Sequence, residues 1–174
     1  PDIIIPDAAS YFDLMAQHGV VVDRDERRAQ IVQQVAELAA SVGGEIPDEP
    51  ALLEEVTDLV EQPAAILGSF EQRYLDLPAD VLIKVMKKHQ RYFPVVNGTR
   101  LLPYFITVAN GMPSAPEVVR AGNEGVIRAR YADAAFFVEH DRQQPLTAFT
   151  PKLATLTFQE QLGALGFKFQ FVTL

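Results

Sequence analysis

Apolar residues recur along this chain at helical spacing in the longer stretches and gather into short runs bounded by turn residues elsewhere, and the switches between them divide it into elements. Asp23 is placed to cap a helix in which Ile31, Val35, Leu38 and Val42 lie three or four residues apart, until Gly43 and Gly44 stop it. Asp48 and Pro50 open an acidic helix over about 49–60 with Leu52, Leu53, Val56, Leu59 and Val60 on its apolar face, and it must end before Pro63. Nearer the start, Asp7 caps a predicted helix through His18, with Gly19 as terminator and Val20, Val21 and Val22 following as a short strand or extended link.

After these helical stretches, Ala64 to Phe70 is short and apolar enough to read as a strand. Two more predicted strands, Tyr92 to Val96 and Leu101 to Val108, flank Asn97-Gly98-Thr99-Arg100, and Asn-Gly between β-prone runs predicts a hairpin. Pro94 and Pro103 imply that at least one of these strands lies at an edge or carries a bulge. Helical spacing returns before the hairpin, where Leu77-Pro78-Ala79-Asp80 introduces a helix, and after it, from Pro116 to Glu139 and again from Leu146 to Leu156. Val126, Ile127, Ala134, Phe136, Phe137 and Val138 are expected in the core. The fold class is α+β, helices packed around a small antiparallel sheet. Three parts are expected: an acidic helical segment over 1–62, an α+β module over 63–158, and the start of a connection to a following domain over 159–174.

Charge sharpens that division. The net charge of −8 is unevenly spread: residues 1–62 hold fourteen acids and three arginines, and residues 63–174 hold nine acids and twelve lysines or arginines. Lys84, Lys87, Lys88 and Arg91 fall on one face of the helix before the hairpin, with Leu82, Val85, Met86 and His89 on the other. No Asp or Glu occurs between Val81 and Phe105, so the stripe is expected to reach solvent weakened only by salt, where it would suit a phosphate backbone or form an ordinary solvated face. In the long helix, Arg120, Glu124 and Arg128 sit four residues apart, a spacing at which one carboxylate can bridge two guanidinium groups. Gly122 and Gly125, each costing a helix about 1 kcal/mol against Ala, point to close packing or a ligand's approach.

Other chemistries find little footing. No Cys is present, which removes thiol catalysis, disulfides and thiolate metal sites and fits a reducing cytoplasm. No secretory leader or membrane span is visible, and a chain opening Pro-Asp without Met reads as a piece of a longer protein. His18, His89 and His140 begin no ligand spacing, the His140-Asp141 pair lacks companions, and the serines lie in no nucleophile elbow. No phosphate-binding glycine loop occurs, and Glu71, Asp76 and Asp80 read as surface carboxylates. No catalytic or metal-binding residue is expected.

One run carries more specific information. Met86-Lys87-Lys88-His89-Gln90-Arg91-Tyr92-Phe93-Pro94-Val95, then Leu101-Leu102-Pro103, Val108-Ala109-Asn110-Gly111, Gly122-Asn123-Glu124, Ala129-Arg130, Asp133-Ala134 and Phe136-Phe137, in that order, closely resembles the beta subunit of bacterial heterotetrameric glycyl-tRNA synthetase. Weaker likeness at Arg24 to Ile31 and at Phe158-Gln159-Glu160-Gln161-Leu162-Gly163 extends it over nearly the whole chain, as an internal portion of a longer subunit. The resemblance implies a part in ATP-dependent charging of tRNA(Gly) in the cytoplasm. ATP and Mg would be used by the separate alpha subunit, where the adenylate chemistry resides, and no cofactor would be held by this piece. It implies a fold similar to the B3/B4-type domain of phenylalanyl-tRNA synthetase beta chains, and as partners the alpha subunit, tRNA(Gly) and the remaining domains of the beta subunit, with no membrane. Candidate contacts with RNA or a neighbouring domain are Lys84, Lys87, Lys88, His89, Gln90 and Arg91, then Arg120, Asn123, Arg128 and Arg130. The alternatives are a purely structural protein-interaction domain and, since B3/B4-type domains suggest it, a hydrolytic editing module; glycine's small pocket excludes larger rivals sterically, so editing is little needed. The chain departs from the family at Tyr131, where Leu is usual, and after Leu162-Gly163, where it reads Ala164-Leu165-Gly166-Phe167 in place of an Asp-Lys continuation. Unusual packing or disorder is expected of the final dozen residues.

Overall fold

The computed structural model describes residues 5–111, 113–155, 157–159 and 163–164. The chain forms two compact units, Pro1–Ala134 and Ala135–Leu174. The first holds helices α1 (Tyr11–Gln17), α2 (Arg24–Ser41) and α3 (Pro50–Leu59), strand β1 (Pro63–Ser69), a 3-10 turn (Gln72–Asp76), helix α4 (Ala79–Val85) with a π-helical last turn (Met86–Gln90), strands β2 (Phe93–Asn97) and β3 (Arg100–Asn110), and most of helix α5 (Pro116–Arg142). The α+β class is as expected.

The sheet is antiparallel in the order β1-β3-β2, with the eleven-residue β3 at its centre. Both consequences of the prolines are present. Pro94 lies on the edge strand β2, and the β2–β3 register shifts between Pro94 and Val96, leaving Pro103 of β3 where no ladder donor is needed. The hairpin's loop is Gly98-Thr99. Gly98 takes a positive φ of 58° at the first central position, and Asn97 stays in the strand while its amide donates to the Gly43 carbonyl at 3.0 Å. On the opposite edge, the Gln34 side chain donates to the Pro63 carbonyl and accepts from the Ala65 N–H, closing part of β1 against stray pairing.

Alternation along the strands gives each face its own core. Ile106, Phe93 and Val95 pack with Ile31, Val35 and Ala39 of α2 and Leu52, Val56 and Val60 of α3 in one mostly aliphatic cluster. The acidic helices therefore share a core with the sheet. The other face is aromatic: Tyr92 stacks on Phe105 at 4.8 Å, and Tyr131 of α5 meets Phe70 edge-on at 5.0 Å and Tyr74 at 5.5 Å. Phe105 lies over Gly68, its register partner, where any side chain would collide with the ring. Leu82 and Met86 of α4 and Ile127 of α5 are fully buried there. Tyr131 is the largest fully buried side chain among the described residues and donates to the Leu82 carbonyl at 3.4 Å.

Asp23 caps α2 as expected, accepting from the N–H groups of Asp25 and Glu26 at 2.8 and 3.0 Å. Residues 20–22 are the extended link and not a strand, held by the Arg27 guanidinium on the Val21 and Val22 carbonyls. Three expectations are corrected. The first helix begins at Tyr11 because the Asp7 side chain is taken up in a turn with Ser10. Leu59 is 57% exposed because α3 ends there and only Val60 turns inward. Phe136 and Phe137 are 65% and 62% exposed, and Val126 is 40% exposed, because α5 buries a single narrow stripe through Ile127 and Tyr131.

The second unit comprises the end of α5, a 3-10 segment (Leu146–Thr155) in place of the expected helix, since Pro151 interrupts it, and a short antiparallel pair, β4 (Thr157–Gln159) with β5 (Gly163–Ala164). Within it Phe136 packs edge-on to Phe137 and stacks on His140. Apart from the backbone of Gly163–Ala164, the final dozen residues lie outside those described, as do Ile3 and Ile4.

Candidate nucleic-acid interface

The end of α4 is locally unusual. Its last five residues widen into a π turn, and Arg91 follows in the left-handed conformation (φ 57°, ψ 36°), a position that favours glycine. The Arg91 N–H donates to the Lys87 carbonyl at 3.2 Å and the Tyr92 N–H to that of Met86 at 3.0 Å, each one residue further back than in a Schellman closure. That extra residue changes the face on which side chains emerge. His89 is exposed and not on the buried side, Met86 remains fully buried, and Gln90 is half-buried. π turns and non-glycine left-handed residues concentrate at functional sites.

The expectation of an unopposed lysine stripe is corrected. No acid lies nearby in sequence, but packing brings α3 alongside α4, so that Lys87 pairs with Glu49 and Arg91 with Glu55, each at 2.5 Å. Lys84, Lys88 and His89 are exposed and, among the described residues, make no ion pair. A shallow groove of about 430 Å³ runs between the helices, with Asp80, Glu55, Lys84, Lys87 and Lys88 on its walls.

On α5 the proposed carboxylate bridge is likewise absent. Glu124 accepts from the Ser69 N–H and hydroxyl at 2.9 and 3.1 Å, and Arg128 pairs with Glu71 at 2.6 Å, so among the described residues no ion pair joins Glu124 to either arginine. The Arg128 hydrogen bond lowers the Glu71 pKa and raises that of Arg128 in return. Arg120 and Arg130 are exposed without an ion pair among the described residues. Asn123 is half-buried and accepts from the Tyr92 hydroxyl at 2.6 Å; burial raises the Tyr92 pKa. Gly122 and Gly125 have open space where a side chain would stand, so close packing within this chain does not explain them.

Two buried tyrosines join the groups, Tyr92 reaching Asn123 and Tyr131 reaching the Leu82 carbonyl, so the start of α5 is fixed against α4 and β2. The ten candidates thus divide: Lys87, Arg91, Asn123 and Arg128 hold structural partners, Lys84, Lys88, His89, Arg120 and Arg130 face solvent, and Gln90 is half-buried. Sequence reasoning missed Arg73, which lies over the Tyr74 ring at 4.9 Å and, through its charge, also lowers the Glu71 pKa. No spacing could have found it, because Arg128 is 55 residues away along the chain. Among the described residues no three His, Asp or Glu side chains are placed to hold a metal, and no helix is long and apolar enough to cross a membrane.

Comparison with known proteins agrees with these blocks. Residues 1–173 match the family model described as glycyl-tRNA synthetase beta subunit. The glycine–tRNA ligase beta subunit of Moorella thermoacetica is 49% identical over 162 residues, 92% of this chain and 23% of the relative. That of Synechocystis is 49% identical over 165 residues, 94% of this chain and 23% of the relative. That of Desulforudis audaxviator is 44% identical over 172 residues, 98% and 25% respectively. The chain spans about a quarter of the length of these relatives. With a family match from end to end and relatives at nearly half identity, this chain belongs to the glycyl-tRNA synthetase beta subunit family.

Proposed function

We propose that this chain is a noncatalytic domain of a glycyl-tRNA synthetase beta subunit, supporting ATP-dependent glycylation of tRNA(Gly) through contact with the tRNA and through assembly with neighbouring domains and the alpha subunit. ATP, Mg and the adenylate chemistry belong to the alpha subunit in this reading. The observation that carries it is the exposed set of Lys84 on α4 and Lys88 and His89 on its π turn, beside two ion pairs that tie the turn to α3. Arg and Lys side chains free of acidic partners are those that can neutralise backbone phosphates and release the cations condensed on the nucleic acid.

The test is a titration of tRNA(Gly) with the full chain at several salt concentrations. The Lys84→Glu/Lys88→Glu variant should weaken binding and reduce the slope of log affinity against log salt by about one for each phosphate that is no longer neutralised. Lys87 is the poorer target, since Lys87→Glu would set a carboxylate against Glu49 and disturb the fold. Unchanged affinity and slope in the double variant would remove α4 from the interface. A second reading, contact with another protein domain, draws support from α5, where Val118 is 67% exposed and Gly122 and Gly125 leave the backbone open to approach. No RNA affinity together with co-purification of the alpha subunit would favour it.

A further inference from the structure

Beside the buried stripe of α2, Arg28, Val32, Ala36 and Ala40 follow one another at four-residue intervals and form one wall of a groove of about 540 Å³. Ile46, Pro47, Pro50 and Leu53 form the facing wall, with Ile31, Val35 and Phe93 of the core at its floor. The lining is mostly carbon, and Val32 is 45% exposed in it. The groove is firmly built. Glu45 and Val96 exchange two backbone hydrogen bonds at 2.7 and 2.9 Å, and Gly44 sits where a side chain would strike Val95, so the facing wall is tied to β2.

Its rim has a definite sign. Arg28 is engaged by Glu54 and Glu49 by Lys87, which leaves Glu45 and Asp48, both exposed and without an ion pair among the described residues. These belong to the segment of 62 residues that carries fourteen acids against three arginines. A phosphate backbone would be repelled here. An apolar trough rimmed by uncompensated carboxylates complements an amphipathic helix with aliphatic residues at i, i+3 or i+4 and i+7 and Lys or Arg on its flanks.

We propose that this groove is a docking site for a cationic amphipathic helix of a protein partner, distinct from the cationic surface on α4 and α5 and independent of the RNA-contact reading. The probe is a fluorescein-labelled Leu/Lys amphipathic peptide of about 15 residues, with a Leu/Glu peptide of the same apolar pattern as control. Fluorescence anisotropy on the full chain should show the Leu/Lys peptide binding at least about tenfold more tightly than the control. Ala36→Arg, an exposed helical position that tolerates the change, should abolish binding while the thermal transition stays put. Glu45→Gln/Asp48→Asn should weaken it at low salt without closing the groove. Equal binding of both peptides, binding that survives Ala36→Arg, or none at all would overturn the proposal. So would self-association of the chain that Ala36→Arg abolishes, since the groove would then belong to a second copy.

Discussion

The two faces of the sheet are built on different principles. Against α2 and α3 the core is mostly aliphatic, and two of the arginines above it are held by acids: Arg24 reaches Glu54 and Asp58 at 2.6 and 2.7 Å, and Arg28 shares Glu54 at 2.8 Å. Against α4 and α5 the core is aromatic, its hydroxyls cross between elements, and several cations above it stay unpaired among the described residues. The acids of α3 serve both sides, since Glu54 and Asp58 turn to α2 while Glu55, with Glu49 just before the helix, turns to α4. A helix acidic on several faces thus braces the cationic turn while trimming its charge from four to two.

The largest effect that would break the comparison is in the aromatic core. Tyr131→Ala removes a ring with three neighbours and is expected to cost about 3–5 kcal/mol in urea unfolding. Tyr131→Phe keeps the ring and loses only one long hydrogen bond, so it should cost less than about 1 kcal/mol. If the two variants cost the same, hydrogen bonding and not ring packing would hold this face. Gly68→Ala is expected between them, at about 1–3 kcal/mol, because the added methyl must displace Phe105 within a paired register.

The fold was legible wherever the signal was local. Asp23 as cap, Gly43 and Gly44 as stop, and Gly98 in the hairpin each act within a few residues of their own position. Burial was legible where a stripe was wide, as on α2, and failed on α5, because Phe136 and Phe137 have helical neighbours but no layer over them among the described residues. Of the candidate site, the residue types could be read but not their state. Whether Lys87 is free depends on Glu49, 38 positions earlier and across a tertiary contact, and whether His89 is exposed depends on one extra residue in a turn.

A middle-sized effect sharpens the picture of that turn. Arg91 in the left-handed region costs roughly 1–2 kcal/mol relative to an ordinary helical residue, which glycine would not suffer. Arg91→Gly gains that, but loses about 0.5–1 kcal/mol to a freer unfolded chain and up to about 1 kcal/mol for an exposed ion pair. Its stability should therefore stay within about 1 kcal/mol of the parent. Arg91→Ala keeps the strain and loses the pair, so it should be the less stable of the two. The reverse order in thermal unfolding would mean that the left-handed backbone at this position carries less strain than glycine's freedom in the unfolded chain costs.

The smallest effect distinguishes the faces by acid. Hydrogen bonds from Arg24 lower the pKa of Glu54 and of Asp58, and one from Arg128 lowers that of Glu71, so these three carboxylates bind protons more weakly when folded than unfolded. Their contribution is complete above the ordinary carboxylate range and fades as pH falls through it toward the lowered folded values. Two of the three lie on the α2–α3 side, and Arg24 is the partner common to both. Arg24→Ala should therefore flatten the loss of stability between about pH 5 and about pH 3 more than Arg128→Ala does. The pairs are solvent-exposed, so the difference should shrink in molar salt, where the screening length falls to about 3 Å. Urea midpoints measured against pH at two salt concentrations would show it, and equal slopes for both variants would mean that these acids stabilise the two faces alike.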